Sequence, residues 1–402
     1  MKKFSIESII AILILHLMVI NIYYLNFYSE LQYVIIFSIG IYLLQHSKFI
    51  MSKQNISIKI LMLLFGSIVI ISSIINRHVS VTPITGFIYT LKVWQCILFF
   101  LIVNKKNKFW NVIKIFYRLS LVYVILTDIL IIFFPKMKIL YGNNYLIGNK
   151  FEVVYLHFFL ICLYMLDYKK KIYTIEIRRD KKVKIYNKIG GIFLWVLTLI
   201  VSLIVECSTG VVGCIIIAIF VCLKGILANI LNKWWVFLIA TAFFNSIMFL
   251  WQSMLNNYYV EFFITQFLNK DLSLTGRTVI YSKILPVVSK QLWFGYGQGN
   301  AYYVVKNSLK VFPNAQNGIL QCIINFGVLG VIFMITMFCL ILYKKNTSKV
   351  YPIIIMIYLY VIISAIEITF ELNMIVLFSI LCGIIKDNTR VRNNMFKENI
   401  DL

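Results

Sequence analysis

The chain has 402 residues, 61% of them hydrophobic and 13% charged, with a mean hydropathy of +0.87. A soluble protein of this size keeps about 25% charged residues to face water, so the composition excludes a water-soluble fold. The formal charge of +24 lies mostly in short stretches between apolar blocks. There membrane orientation and anionic headgroups account for it, and nucleic acid is not implied as a partner.

The apolar blocks run to about twenty residues, the length that crosses a hydrocarbon core of about 30 Å. In chain order they predict an all-α, polytopic integral membrane protein, with residues 1–402 as a single membrane domain of about twelve transmembrane helices. The predicted spans are 9–27, 31–47, 57–75, 82–103, 110–134, 151–167, 189–206, 209–230, 234–252, 318–343, 350–368 and 371–385. Met1-Lys2-Lys3 before an apolar run has the form of a signal peptide, but no small-residue cleavage site follows. The first block is therefore read as a retained helix. With the N-terminus inside, the inner segments carry roughly two dozen Lys and Arg against about ten outside. Dropping one helix after the first would invert every later loop and destroy that bias. Both termini are predicted in the cytoplasm.

Lys92, Lys114, Arg118, Asp128 and Lys224 fall inside predicted spans. A charge at the centre of a span costs about 2.5–3.5 kcal/mol on insertion scales, less near the ends where side chains snorkel. Lys92 is the hardest of these to explain by snorkelling. Two readings stand: pairing with Asp128, or a cavity for lipid phosphate lined by Lys92 or Arg118. The eight cysteines form no C-x-x-C pair, and the four histidines show no metal-ligand spacing, so no metal or cofactor is expected. His157 reads as a packed core residue.

Two outer segments exceed turns: 135–150 and 252–317, the large extracytoplasmic loop between the ninth and tenth helices. The second is too long for an idle connection. It runs Leu274-Thr275-Gly276-Arg277-Thr278, an apolar-periodic segment to Leu292, Gly295-Tyr296-Gly297-Gln298-Gly299, and then Pro313-Asn314-Ala315-Gln316-Asn317. Ser273 or Thr275 suits the cap of a helix beginning near Arg277, with Ile280, Ile284, Val287 and Val288 on one face and Pro286 as a kink. Such a helix start, with the planar fork of Arg277, suits a phosphate or pyrophosphate. Equally, Arg277 suits a pair with Glu261 or Asp271. The three glycines follow no strand and make no nucleotide fingerprint. They read as a plain turn, or as a turn beneath a ligand with Tyr296 stacking on a sugar.

The order of Thr275-Gly276-Arg277, Ile280-Tyr281, Gly295–Gly299, Asn314–Asn317 and Asn325-Phe326-Gly327-Val328-Leu329-Gly330 resembles the O-antigen ligase and polymerase superfamily. Glu206-Cys207-Ser208-Thr209-Gly210 and Gly148-Asn149-Lys150 are weaker matches. The resemblance implies metal-independent glycosyl transfer from a polyprenyl-pyrophosphate-linked oligosaccharide, on the outer face of the cytoplasmic (inner) membrane. It implies a repeat-unit polymerase for capsule, exopolysaccharide or O-antigen, with membrane lipids, a flippase and a chain-length regulator as partners. Arg277 and Gln316 would be catalytic. Thr275, Gly276, Gly295, Tyr296, Gly297 and Asn317 would bind substrate, with Lys92 and Arg118 as further candidates.

Two departures from the family pattern matter. Gln316 stands where many members have His, and it orients a hydroxyl but cannot take its proton. Thr209 stands where many have Arg, so a second phosphate clamp is missing there. The general base is left open among Glu206, Glu261, Asp271 and Glu367. Glu367 and Glu371 lie one helical turn apart in sequence, near the predicted outer surface. A ligase acting on an acceptor lipid or protein is the first alternative. A lipid-linked oligosaccharide transporter fits less well, because no internal repeat or matched pair of broken helices is evident.

Overall fold

The computed structural model describes residues 5–79, 82–173, 181–254, 262, 277–310, 314–345 and 350–385. Among the described residues the regular elements are helices, with two isolated bridges, Tyr145 to Gly148 and Lys345 to Ile385. In chain order they are α1 (Ile6–Met18), α2 (Tyr28–Gln45), α3 (Ser47–Ile50), α4 (Ile56–Ile75), α5 (Ile84–Lys105) and α6 (Phe109–Phe133). There follow α7 (Met137–Leu140), α8 (Lys150–Tyr173), α9 (Lys181–Ile204), α10 (Ser208–Cys222), α11 (Lys224–Leu231) and α12 (Trp234–Met254). The last five are α13 (Arg277–Lys290), α14 (Ala301–Leu309), α15 (Gly318–Lys344), α16 (Tyr351–Ile363) and α17 (Leu372–Cys382).

Helices α4, α5, α6 and α15 are each long and apolar enough to cross a membrane, and α10 with α11 makes a fifth if that pair is one span bent by 97°. The other predicted segments overlap shorter or bent helices, and several helices are shorter than their hydrophobic block. The first block is helical only to Met18, where the chain turns. The Tyr28 hydroxyl reaches the carbonyls of His16 at 3.1 Å and Ile20 at 2.5 Å. These contacts supply partners for carbonyls that the ended helix leaves open.

The buried centre is apolar and aromatic. Phe338 and Phe378 stack with ring centroids 3.9 Å apart, and Phe237 meets Phe378 edge-on. α16 and α17 are buried nearly all round, whereas α6 exposes a broad apolar face that includes Val122, Ile125, Ile129 and Phe133. That division places α16 and α17 at the core of the bundle and α6 at its lipid-facing side.

The pairing read for Asp128 is corrected. Its Oδ1 lies 3.0 Å from Nε2 of buried His157, across the contact between α6 and α8, and Thr198 of α9 lies 3.3 Å from the other ring nitrogen. Lys92 instead donates to Gln32 Oε1 at 2.7 Å. The helix packing decides the partner: α6 lies along α8, and α5 along α2. At another helix end Glu7 receives Lys106 at 2.7 Å and Lys108 at 2.6 Å, tying α1 to the α5–α6 connection.

Candidate functional site

A cavity of about 480 Å³ lies where the end of α1, the start of α8, the segment before α15 and the α16–α17 connection converge. Its wall carries an unusual density of polar groups for a membrane domain: Gln32, Lys92, Asn149, Glu152, Asn314, Gln316, Glu367 and Glu371. Lys92 reaches it from the middle of α5 and is half-buried. Among the described residues Lys92 forms no ion pair, its partner Gln32 being neutral. A membrane-buried cation with a neutral partner, facing a cavity, suits an anionic ligand.

The start of α8 is fixed by a reciprocal cap. Asn149 Oδ1 accepts from the backbone N–H of Phe151 at 2.9 Å and of Glu152 at 3.2 Å, while Glu152 Oε2 accepts from the Asn149 N–H at 2.8 Å. This is a capping box, and Asn149-x-x-Glu152 is its sequence sign. Sequence reasoning did not single out Glu152, although that spacing was the signal that could have found it. Lys150 extends sideways to the Glu206 carbonyl at 3.0 Å, linking this cap to the break between α9 and α10.

Gln316 adopts a left-handed backbone, φ 50°, which turns its side chain against Asn314: Nε2 donates to Asn314 Oδ1 at 2.8 Å. Both residues line the cavity. The next residue, Asn317, does different work. It is fully buried as the N-cap of α15, accepting from the Leu320 N–H at 3.0 Å and donating to the Asn245 carbonyl at 3.2 Å. Asn245 answers by accepting from the Ile319 N–H at 3.2 Å and donating to Ser364 Oγ at 2.9 Å.

Two of the glycine motifs meet in space. α15 is broken at Phe326 and Gly327, the latter at φ 70° and ψ 177°. The break frees backbone groups, and the Gly295–Gly299 turn takes them up. The Tyr296 N–H donates to the Ile324 carbonyl at 2.7 Å, and the Val328 N–H donates to the Leu292 carbonyl at 2.8 Å. A Cβ on Gly295 would come within 2.5 Å of the Gly327 nitrogen, and one on Gly327 within 2.1 Å of the Trp293 carbonyl oxygen. The backbones therefore touch without room for side chains. Gly297 approaches the α4 backbone at Ser73, and Asn76 donates to the Gly295 carbonyl at 2.9 Å. The Tyr296 hydroxyl donates to the Val287 carbonyl at 2.7 Å. These three residues build the scaffold behind the cavity and do not line it.

α13 is described from Arg277, and Ile280, Ile284, Val287 and Val288 are all buried on one face, as the sequence predicts. One turn after Arg277, Tyr281 donates to the carbonyl of Gln316 at 2.7 Å or of Ala365 at 3.1 Å. That hydroxyl pins the start of α13 to the two segments that carry Gln316 and Glu367. Thr275, Gly276, Glu261 and Asp271 lie outside the described residues, as does the side chain of Arg277. Arg118 is exposed on α6 and is not part of the cavity wall.

Glu371 precedes α17 and holds its place through Asn325, the residue before the α15 break, whose Nδ2 donates to Glu371 Oε1 at 3.1 Å. Glu371 stands at the N-cap of α17, where the connection from α16 meets that helix.

Residues 192–335 match the family model described as O-antigen ligase. The matched stretch runs from α9 to the middle of α15 and contains Arg277, Gln316 and the joined glycine motifs. No curated protein and no solved structure matches the chain.

Proposed function

From the match of residues 192–335 to the O-antigen ligase family model, we propose that this chain polymerises oligosaccharide repeat units carried on polyprenyl pyrophosphate. The reaction takes place at the outer face of the cytoplasmic membrane, in a twelve-span protein with both termini in the cytoplasm. The terminal hydroxyl of one lipid-linked unit attacks the anomeric carbon of the chain on another, and polyprenyl pyrophosphate leaves. No metal takes part in this reading. A flippase that delivers the units and a regulator of chain length are the partners it implies.

The observation that carries the reading is the cavity in which Lys92, Gln316 and two carboxylates of the α16–α17 connection share one wall. A glycosyl transfer from a pyrophosphate needs a cation at the leaving group, a group to orient the attacking hydroxyl, and a base. Lys92 and Arg277 supply the positive charge in this reading, Arg277 lying one turn before Tyr281, whose hydroxyl meets the Gln316 carbonyl. A fixed cation placed where charge develops is worth about 10²–10³ in rate. Asn314 and Gln316 orient sugar, while Asn317, the next residue in the chain, caps α15. The Gln316 amide favours polymerase over a ligase chemistry that relies on His at that position.

Surface glycan length in a deletion strain, complemented with wild type or Arg277→Ala, tests the assignment. Single lipid-linked units in place of long chains, rescued only by wild type, are expected. Full-length glycan still on its carrier lipid would instead mean a ligase. Unchanged glycan would remove the transferase reading altogether.

A further inference from the structure

Three carboxylates reach the cavity wall: Glu152, Glu367 and Glu371. They are not equivalent. Glu152 spends Oε2 on the Asn149 N–H, in the cap of α8. Glu367 is 7% exposed and lies near Tyr155 and Cys207, set back in the protein. Glu371 is more open, and its Oε1 is held by the neutral amide of Asn325 at 3.1 Å. A neutral donor fixes the carboxylate without supplying a positive charge that would keep it ionised. Among the described residues Asn325 is the hydrogen-bond partner of the carboxylate, through Oε1, and its second oxygen is the one proposed to meet a ligand. Gln316, in the same wall, lacks any atom that takes a proton at neutral pH.

We propose that Glu371 is the general base of the glycosyl transfer, with Asn325 as its positioning residue; the inference rests on the transferase reading above. As the acceptor oxygen bonds to the donor's anomeric carbon, its O–H bond breaks and the proton goes to Glu371. The electron pair of the anomeric C–O bond leaves with the polyprenyl pyrophosphate. Glu371 then releases the proton to water, restoring the carboxylate.

The test uses full-length protein in nanodiscs and lipid-linked units extracted from the deletion strain. Elongation is followed against pH for wild type, Glu371→Gln, Glu371→Asp and Glu367→Gln. Glu371→Gln keeps shape and the Asn325 contact, so it is expected to fold with an unchanged thermal midpoint. Its kcat is expected to fall about 10²–10⁴-fold, with KM changed little. Glu371→Asp is expected to recover part of that loss. The acid limb of the wild-type pH profile should survive in Glu367→Gln and vanish from the residual activity of Glu371→Gln.

Full activity with an intact acid limb in Glu371→Gln overturns the assignment, as does loss of that limb in Glu367→Gln. A Glu371→Gln protein that fails to fold, beside a fully active Glu371→Asp with an unmoved acid limb, also overturns it. Failure of the underlying reading looks different: wild type itself would transfer no sugar from the extracted units. If wild type transfers sugar to another acceptor without elongating, polymerase gives way to ligase, and the same pH profiles still decide the role of Glu371.

Discussion

Asn317→Ala removes the acceptor for the Leu320 N–H and the donor to the Asn245 carbonyl. An N-cap of this kind is worth about 1 kcal/mol, and the unmatched buried carbonyl adds a similar amount. The expected outcome is a lower thermal midpoint in detergent, with KM for lipid-linked units nearly unchanged; a large KM change at full stability would put Asn317 on the sugar instead. Lys345, just past the end of α15, is a second residue whose setting has a measurable sign. Burial lowers its pKa from 10.5 to about 8, while its ammonium donates to the Asn232 and Leu342 carbonyls. Between pH 8 and 10.5 the unfolded chain therefore binds more protons than the folded one, and stability rises with pH across that window. Measured against Lys345→Met, the wild-type midpoint should climb from pH 8 to pH 10.5; a flat difference would remove the linkage. The residue types at these positions were legible in the sequence, but their partners were not. The sequence put Gln316 and Asn317 in one motif, yet one faces the cavity and the other caps a helix. A backbone turn at φ 50°, invisible to residue type, separates them.

Between elements, the decisive contact is the docking of the Gly295–Gly299 turn into the break of α15. Hydropathy predicted a continuous span over 318–343, because Asn325-Phe326-Gly327 lies in an unbroken apolar run. The break needs a partner that donates to the freed carbonyls, and that partner comes from a distant part of the sequence. Periodicity has no access to such a pairing. It did find α13, because one face of that helix is buried by local packing and the 3.6-residue spacing survives. Gly327→Ala tests the junction. Its backbone, at φ 70° and ψ 177°, belongs to a region essentially closed to side chains, and the new Cβ would overlap the Trp293 carbonyl oxygen. A cost of about 3 kcal/mol or more is expected, read as poor accumulation in the membrane and a lowered midpoint. Normal accumulation and stability would mean that the two motifs do not depend on each other.

Across the whole molecule, the candidate site is assembled from segments far apart in sequence. The family match begins at residue 192, yet Gln32, Lys92, Asn149 and Glu152 come from before it, and Glu367 and Glu371 from after it. A cation in the first third of the chain thus shares a wall with the motif residues of the last third. The charge pattern alone left Lys92 between a pairing with Asp128 and a cavity, and named Arg118 beside it as a candidate for that cavity. Packing separates them, since α5 turns Lys92 inward while α6 leaves Arg118 exposed. If the buried cation holds the pyrophosphate, Lys92→Met should lower elongation by at least about 10-fold, a loss of about 1.4 kcal/mol of transition-state stabilisation. Arg118→Met should change it less than about twofold, as substitutions away from a site commonly do. Elongation rates on extracted lipid-linked units, at matched protein levels in nanodiscs, give the comparison. Equal losses would mean that Arg118 joins the site when substrate enters, and no loss from Lys92→Met would leave Arg277 to carry the leaving group alone. Because Gln32 is the only hydrogen-bond partner recorded for Lys92 among the described residues, Gln32→Ala should shift the Lys92-dependent part of the rate and leave the Arg277-dependent part in place.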